Sequence, residues 1–163
     1  WLKLRSPALP RIATWDIEPD RPARPPAATT HVVLDTPAGL HGKELAQVLK
    51  LVNRVIVPLQ PSIFDILATQ HFLDLLLEEK EIRRQHAFVA VVGMRVDART
   101  RAAGELERFL AGRGLPVLAY LRDTQNYVLA AAHGLTIFEM PAARAAQDWE
   151  QWAPIIDWAG AAY

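Results

Sequence analysis

Cysteine is absent from the 163 residues, which rules out disulfides, thiolate nucleophiles and cysteine-ligated metals and fits a reducing compartment. Net charge is absent too. Eighteen basic residues balance eighteen acidic ones, so the whole chain offers no electrostatic footprint for nucleic acid and only a local basic face would. No apolar run approaches the length of a membrane-spanning helix, and the expectation is a cytoplasmic protein with no membrane partner. The five histidines, His31, His41, His71, His86 and His133, lack the i,i+4 pairing of a helical metal site. No G-x-S-x-G elbow supports a hydrolase triad.

What is present is an apolar chain, 51% hydrophobic, long enough to bury one core. Residues 1–30 hold six of the twelve prolines and read as an irregular connector, with one short strand near 11–15. From His31 the pattern turns regular. "HVVLD" (31–35) is a short apolar strand candidate, followed by a turn over 36–42. "KELAQVLKLVN" places Leu45, Val48, Leu49 and Val52 at helical spacing over about 43–52. "RVIVPLQ" reads as a second strand, and "SIFDILATQHFLDLLLEEKEIRRQ" as one long helix opening at Ser62. "HAFVAVVGMRV" is a third strand, apolar on both faces. A helix over 101–111 is closed by Gly112 and Gly114. "LPVLAYL" is a fourth strand and "NYVLAAAHG" a short helix. The tail is helical and expected to bend or break at Pro154, with Trp149, Trp152 and Trp158 docking it.

Strands and helices alternating in this way predict an α/β fold, a mostly parallel sheet with helices on both faces. Ligands of such sheets bind outside the carboxyl ends of the strands. Asp35, the Pro58–Gln60 stretch, Gly93-Met94-Arg95 and Leu121-Arg122-Asp123 all stand at predicted strand exits.

These segments resemble the ParA/MinD family of deviant Walker P-loop ATPases. "VVLDTPAG" looks like the family's Walker B strand and switch, and "VIVPLQPSIFDI" like its next strand with a Pro-x-x-Pro/Ser turn. "VVGMRVDART" is similar to the strand that cups adenine, and "LPVLAYLRDTQNYVLAAAHGLTIFE" to its last strand and ending. The resemblance runs through essentially the whole chain, in the family's order, and implies a three-layer P-loop NTPase fold. It implies ATP and Mg²⁺ as cofactors, with Asp35 as the catalytic residue that holds magnesium, directly or through a water, and helps polarise the attack on the γ-phosphate. Thr36, Pro37, Ala38 and Gly39 would form the switch; Ala38 replaces the commoner second proline. Met94, Arg95, Arg122 and Asp123 would contact the base or ribose. Met94 departs from the family's asparagine, and a thioether does not read the adenine edge as an amide does.

The family's phosphate loop has no counterpart between Trp1 and Tyr163. "GLHGKE" (39–44) lacks the G-x-x-x-x-G-K-[ST] spacing. Trp1 is neither an initiator methionine nor part of a signal-peptide pattern, so the expectation is an amino-terminal portion ahead of it that carries the loop. Residues 1–30 would then be the connector after that portion, and 31–163 the remainder of one nucleotide-binding domain. The partners implied are a second copy in an ATP-sandwich dimer, an activating ParB-like protein, and DNA bound nonspecifically through Arg99, Arg101, Arg108 and Arg113. The alternative is a non-catalytic interaction module that kept the fold; a metabolic enzyme on the same fold has no substrate motif behind it.

Overall fold

A computed structural model describes residues 1–14, 25–27 and 29–161. The short apolar runs that read as strands form a parallel sheet of three: β1 (Arg54–Leu59), β2 (Phe88–Gly93) and β3 (Val117–Tyr120), in the order β1-β2-β3. Among the described residues six α-helices accompany them: α1 (Gly42–Leu49), α2 (Ile63–Glu78), α3 (Lys80–Arg83), α4 (Arg101–Ala111), α5 (Gln125–Ala132) and α6 (Ala142–Gly160). The α/β class expected from the alternation is present.

Period-2 alternation decides which face each strand residue covers. Val57 and Leu59 of β1, with Val89 and Val91 of β2, pack into one cluster with Leu45 and Leu49 of α1, Leu73 and Leu76 of α2, and Leu106 and Leu110 of α4. Val92 and Leu121 meet Ile155 of α6 on the opposite face, with Leu118 and Trp152 against them. Helices therefore cover both faces, but unevenly. α6 lies over β3 and β2, whereas Ile56 of β1 is 39% exposed.

Several local expectations change. The long helix after Ser62 breaks at Glu79, which has extended backbone (φ −65°, ψ 142°), so its end becomes the separate turn α3. α6 runs without interruption through Pro154. A short 3-10 turn over Ile137–Glu139 precedes it, closed by a capping box between Thr136 and Glu139. Residues 31–35 form no strand: among the described residues they pair with no neighbour, and Val33 is 91% exposed. An apolar run becomes a strand only where another backbone completes its ladder. Of the short strand expected near 11–15, residues 11–14 have no regular structure and the remainder lies outside the described residues.

The first residues are fastened to the far end of the chain. Trp1 Nε1 donates to the Leu135 carbonyl at 2.9 Å, and the Arg5 guanidinium grips both carboxylate oxygens of Glu139 at 2.8 and 2.5 Å. Gly134 permits this approach. Its φ is +68°, and a Cβ there would stand 2.5 Å from the Arg5 backbone nitrogen.

Candidate functional site

The carboxyl ends of β1 and β2 open onto a crevice of about 280 Å³. Its walls are Pro58 near the end of β1 and Gln60 just after it, Met94 and Arg95 after β2, and Asp65 and Thr69, one turn apart on α2. Gly93 ends β2 because Tyr120 of β3 lies across it: a Cβ would come within 2.4 Å of the ring carbon Cδ1. Met94 is half-buried and donates its N–H to the Leu59 carbonyl at 2.8 Å, tying the two strand exits together.

Arg95 adopts a left-handed backbone, φ 54°, at the rim of this crevice. A non-glycine residue there costs on the order of 1–3 kcal/mol, and such strain gathers where side chains must be aimed. The next N–H, that of Val96, reaches back to the Leu121 carbonyl at 2.9 Å. The Arg95 guanidinium points toward Asp123, with nitrogen–oxygen distances of 3.2 and 3.4 Å. Both side chains are more than half exposed, so the pair is loose and open to exchange with a ligand.

Arg122 has a different employment. Its Nε and Nη2 donate to the two oxygens of Asp148 at 2.7 and 3.0 Å, and its backbone N–H donates to Gln151 Oε1 at 3.0 Å. Asp148 is fully buried and also accepts from Asn126 Nδ2 at 2.8 Å. The Arg122 guanidinium, helped by Asn126, holds this carboxyl below the usual aspartate range despite the opposing effect of burial. α6 is thereby clamped to the loop that carries Asp123.

The predicted site residues are thus only partly gathered. Met94 and Arg95 share the crevice, with Asp123 on Arg95 and Arg122 one residue away but committed to α6. Asp35 and residues 36–39 are exposed on a separate segment and do not line it. Gly39 turns with φ +76°, and its carbonyl lies 2.9 Å from His41 Nδ1 just before α1. Of the four arginines proposed for DNA, Arg99 is paired with Asp97, Arg108 with Glu105 and Arg113 with Asp74, while Arg101 is exposed on α4.

Asp65, Thr69, Asn126, Gln151 and Asp148 were not among the predicted site residues. Asp65 and Thr69 carried a signal, since their i,i+4 spacing after the Pro58-x-x-Pro61-Ser62 turn puts both on the helix side that meets a strand exit. The partnership of Asp148 with Arg122, 26 residues apart, left none.

A second opening, of about 500 Å³, lies between residues 30–34 on one side and Leu51–Ile56 on the other, with Ala159–Ala161 at one end. Among the described residues no three His, Asp or Glu side chains are grouped to hold a metal ion, and no helix is long and apolar enough to cross a membrane. Compared with known proteins, the chain matches no protein-family model, and no curated protein matches it significantly.

Proposed function

We propose that this chain is the greater part of a ParA/MinD-like ATPase that alternates between monomer and ATP-sandwich dimer to position DNA or another cargo, with a partner protein stimulating turnover. The observation that carries this reading is the opening beside β1. Asn53 and Leu59 turn their carbonyls to β2, so the backbone groups of Ile56, of opposite parity, face the opening. Across it run residues 31–34, of which Val32, Val33 and Leu34 are apolar, and which lead to Asp35. Neighbouring strands stand about 4.8 Å apart, and a strand seated here would pair with the outward backbone groups of Ile56. In a ParA-like sheet the strand entering the phosphate loop belongs beside the acid-bearing one.

The described residues fit a nucleotide at one end only. The crevice offers Met94 as an apolar surface for a flat ring and Arg95, Asp123, Asp65 and Thr69 as polar rim groups. For the phosphates they provide no nest of backbone N–H groups, and for magnesium only Asp35 is proposed, one carboxylate where an octahedral ion needs more partners. In the protein expressed from its complete reading frame, Asp35→Ala is expected to lower ATP turnover by about a hundredfold or more. Equal rates in the two proteins overturn the assignment of Asp35.

The non-catalytic reading is favoured by Met94 in place of an amide. It predicts that the complete protein leaves a fluorescent ATP analogue unbound, whereas the ATPase reading predicts saturable binding.

A further inference from the structure

Asp148 is the one polar or charged residue that is buried among the described residues. Taking a carboxylate out of water is costly even when it is paired, and well-packed apolar side chains of similar volume often serve stability as well. What a forked ion pair adds is direction, because its parallel hydrogen bonds fix one orientation of the two groups.

The partners of Asp148 show what is being oriented. Its Oδ1 accepts from Arg122 Nε, and its Oδ2 accepts from both Arg122 Nη2 and Asn126 Nδ2. Residues 122 and 126 stand on either side of Asp123 and Thr124, so one carboxylate holds both ends of that turn. Further ties run to the same helix. Asn126 Nδ2 also donates to the Arg144 carbonyl at 3.0 Å, and the Arg122 N–H reaches Gln151 Oε1, one turn beyond Asp148. On the sheet side, the Leu121 N–H donates to the Gly93 carbonyl at 2.8 Å and the Val96 N–H to the Leu121 carbonyl at 2.9 Å. Asp123, by contrast, is more than half exposed and meets Arg95 at 3.2 and 3.4 Å. The rim of the crevice is aimed from behind, by residues that do not line it.

We infer that Asp148 is a positioning residue for the crevice: through Arg122 and Asn126 it fixes the 121–126 turn, so that Asp123 meets Arg95 where the base or ribose of a nucleotide would bind. The inference rests on the nucleotide reading above. Arg122 then acts on the ligand through its neighbour, in place of the direct contact expected for it. Losing the clamp removes binding that ground state and transition state share, which raises KM and spares kcat.

Asp148→Ala alone strands the Arg122 guanidinium, and lost folding would mask lost positioning. Arg122→Met with Asp148→Leu refills the space without charge. In the protein expressed from its complete reading frame, this double variant is expected to raise KM for ATP about tenfold, with kcat within about twofold of the parent. Gln151→Ala removes one tie and leaves the fork; it should raise KM about two- to threefold, a readout that stands if the double variant folds poorly. Trp149→Phe gives up the 2.8 Å bond from Trp149 Nε1 to the Ile137 carbonyl, elsewhere on α6. It should lower the thermal midpoint and leave KM unchanged. Hydrogen exchange on the 163-residue chain needs no nucleotide: in the double variant the N–H groups of Val96 and Leu121 should exchange about tenfold faster, and those of β1 as in the parent. Unchanged exchange, KM unchanged in both the double variant and Gln151→Ala, or KM raised equally by Trp149→Phe each overturns the inference and leaves the ATPase reading standing. A complete protein without ATP turnover overturns that reading and the inference together.

Discussion

The two flanks of the sheet are built to different degrees of completion. On the β3 flank, a wholly buried carboxylate, Asp148, has its charge met by Arg122 and its remaining lone pairs by Asn126, and α6 seals the face with Ile155 and Trp152. On the β1 flank, Ile56, Leu51, Val32 and Val33 are left in water at 39, 48, 43 and 91% exposure. Among the described residues, the buried charge on one side is fully partnered, while on the other side of the sheet apolar side chains stay exposed. The contrast is also energetic. Loss of a partner on the finished flank strands a charge, whereas changes on the open flank disturb little.

Three measurements would break or sharpen that contrast. The largest effect is expected for Asp148→Ala, which leaves the Arg122 guanidinium half-buried without its acid. Urea unfolding should show a loss of about 3–5 kcal/mol, and replacing both residues, Arg122→Met with Asp148→Leu, should cost less than the single change. A loss under about 1 kcal/mol from the single change would erase the distinction between the flanks.

Next in size is the Arg5–Glu139 clasp. Arg5 and the Thr136 N–H hold the Glu139 carboxyl at about 2, below its ordinary 4.5. A depressed acid stabilises the fold above its unfolded value, and that contribution drains away as pH falls from about 4.5 toward 2. Arg5→Gln should therefore cost about 1–2 kcal/mol at neutral pH and little at pH near 2, followed by thermal melts across the range. A penalty that stays constant with pH would show that packing of the segment, not the charge pair, carries the clasp.

The smallest effect belongs to the open flank. Val33→Thr should shift stability by no more than about 0.5 kcal/mol in the 163-residue chain. A larger loss would mean that residues 31–34 are already buried in solution.

Much of the architecture was legible because it is written in local periodicity. The runs at 54–59, 88–93 and 117–120 are strands, and α4 begins after Thr100, whose hydroxyl accepts the Ala103 N–H at 3.2 Å. The misreadings share a cause. "HVVLD" has the composition of a strand, but composition does not supply the neighbouring ladder, and the segment stays unpaired. The helix break at Glu79 depends on how α3 packs against α1 and the core through Ile82, which no propensity encodes. At the candidate site, Met94 and Arg95 were visible from their place at a strand exit. The turning of Arg122 toward Asp148 was not, because a long-range ion pair leaves no spacing to read.

Pro58 gives the exposed border of β1 an asymmetry of its own. By the parity that turns Ile56 outward, Pro58 also faces out, and its ring nitrogen has no hydrogen to give. A visiting backbone finds a donor at Ile56 but none two residues later, so indiscriminate stacking of one molecule on another along this border is cut short. A proline at this place makes the border a poorer template for self-assembly into aggregates than an unbroken row of donors would be.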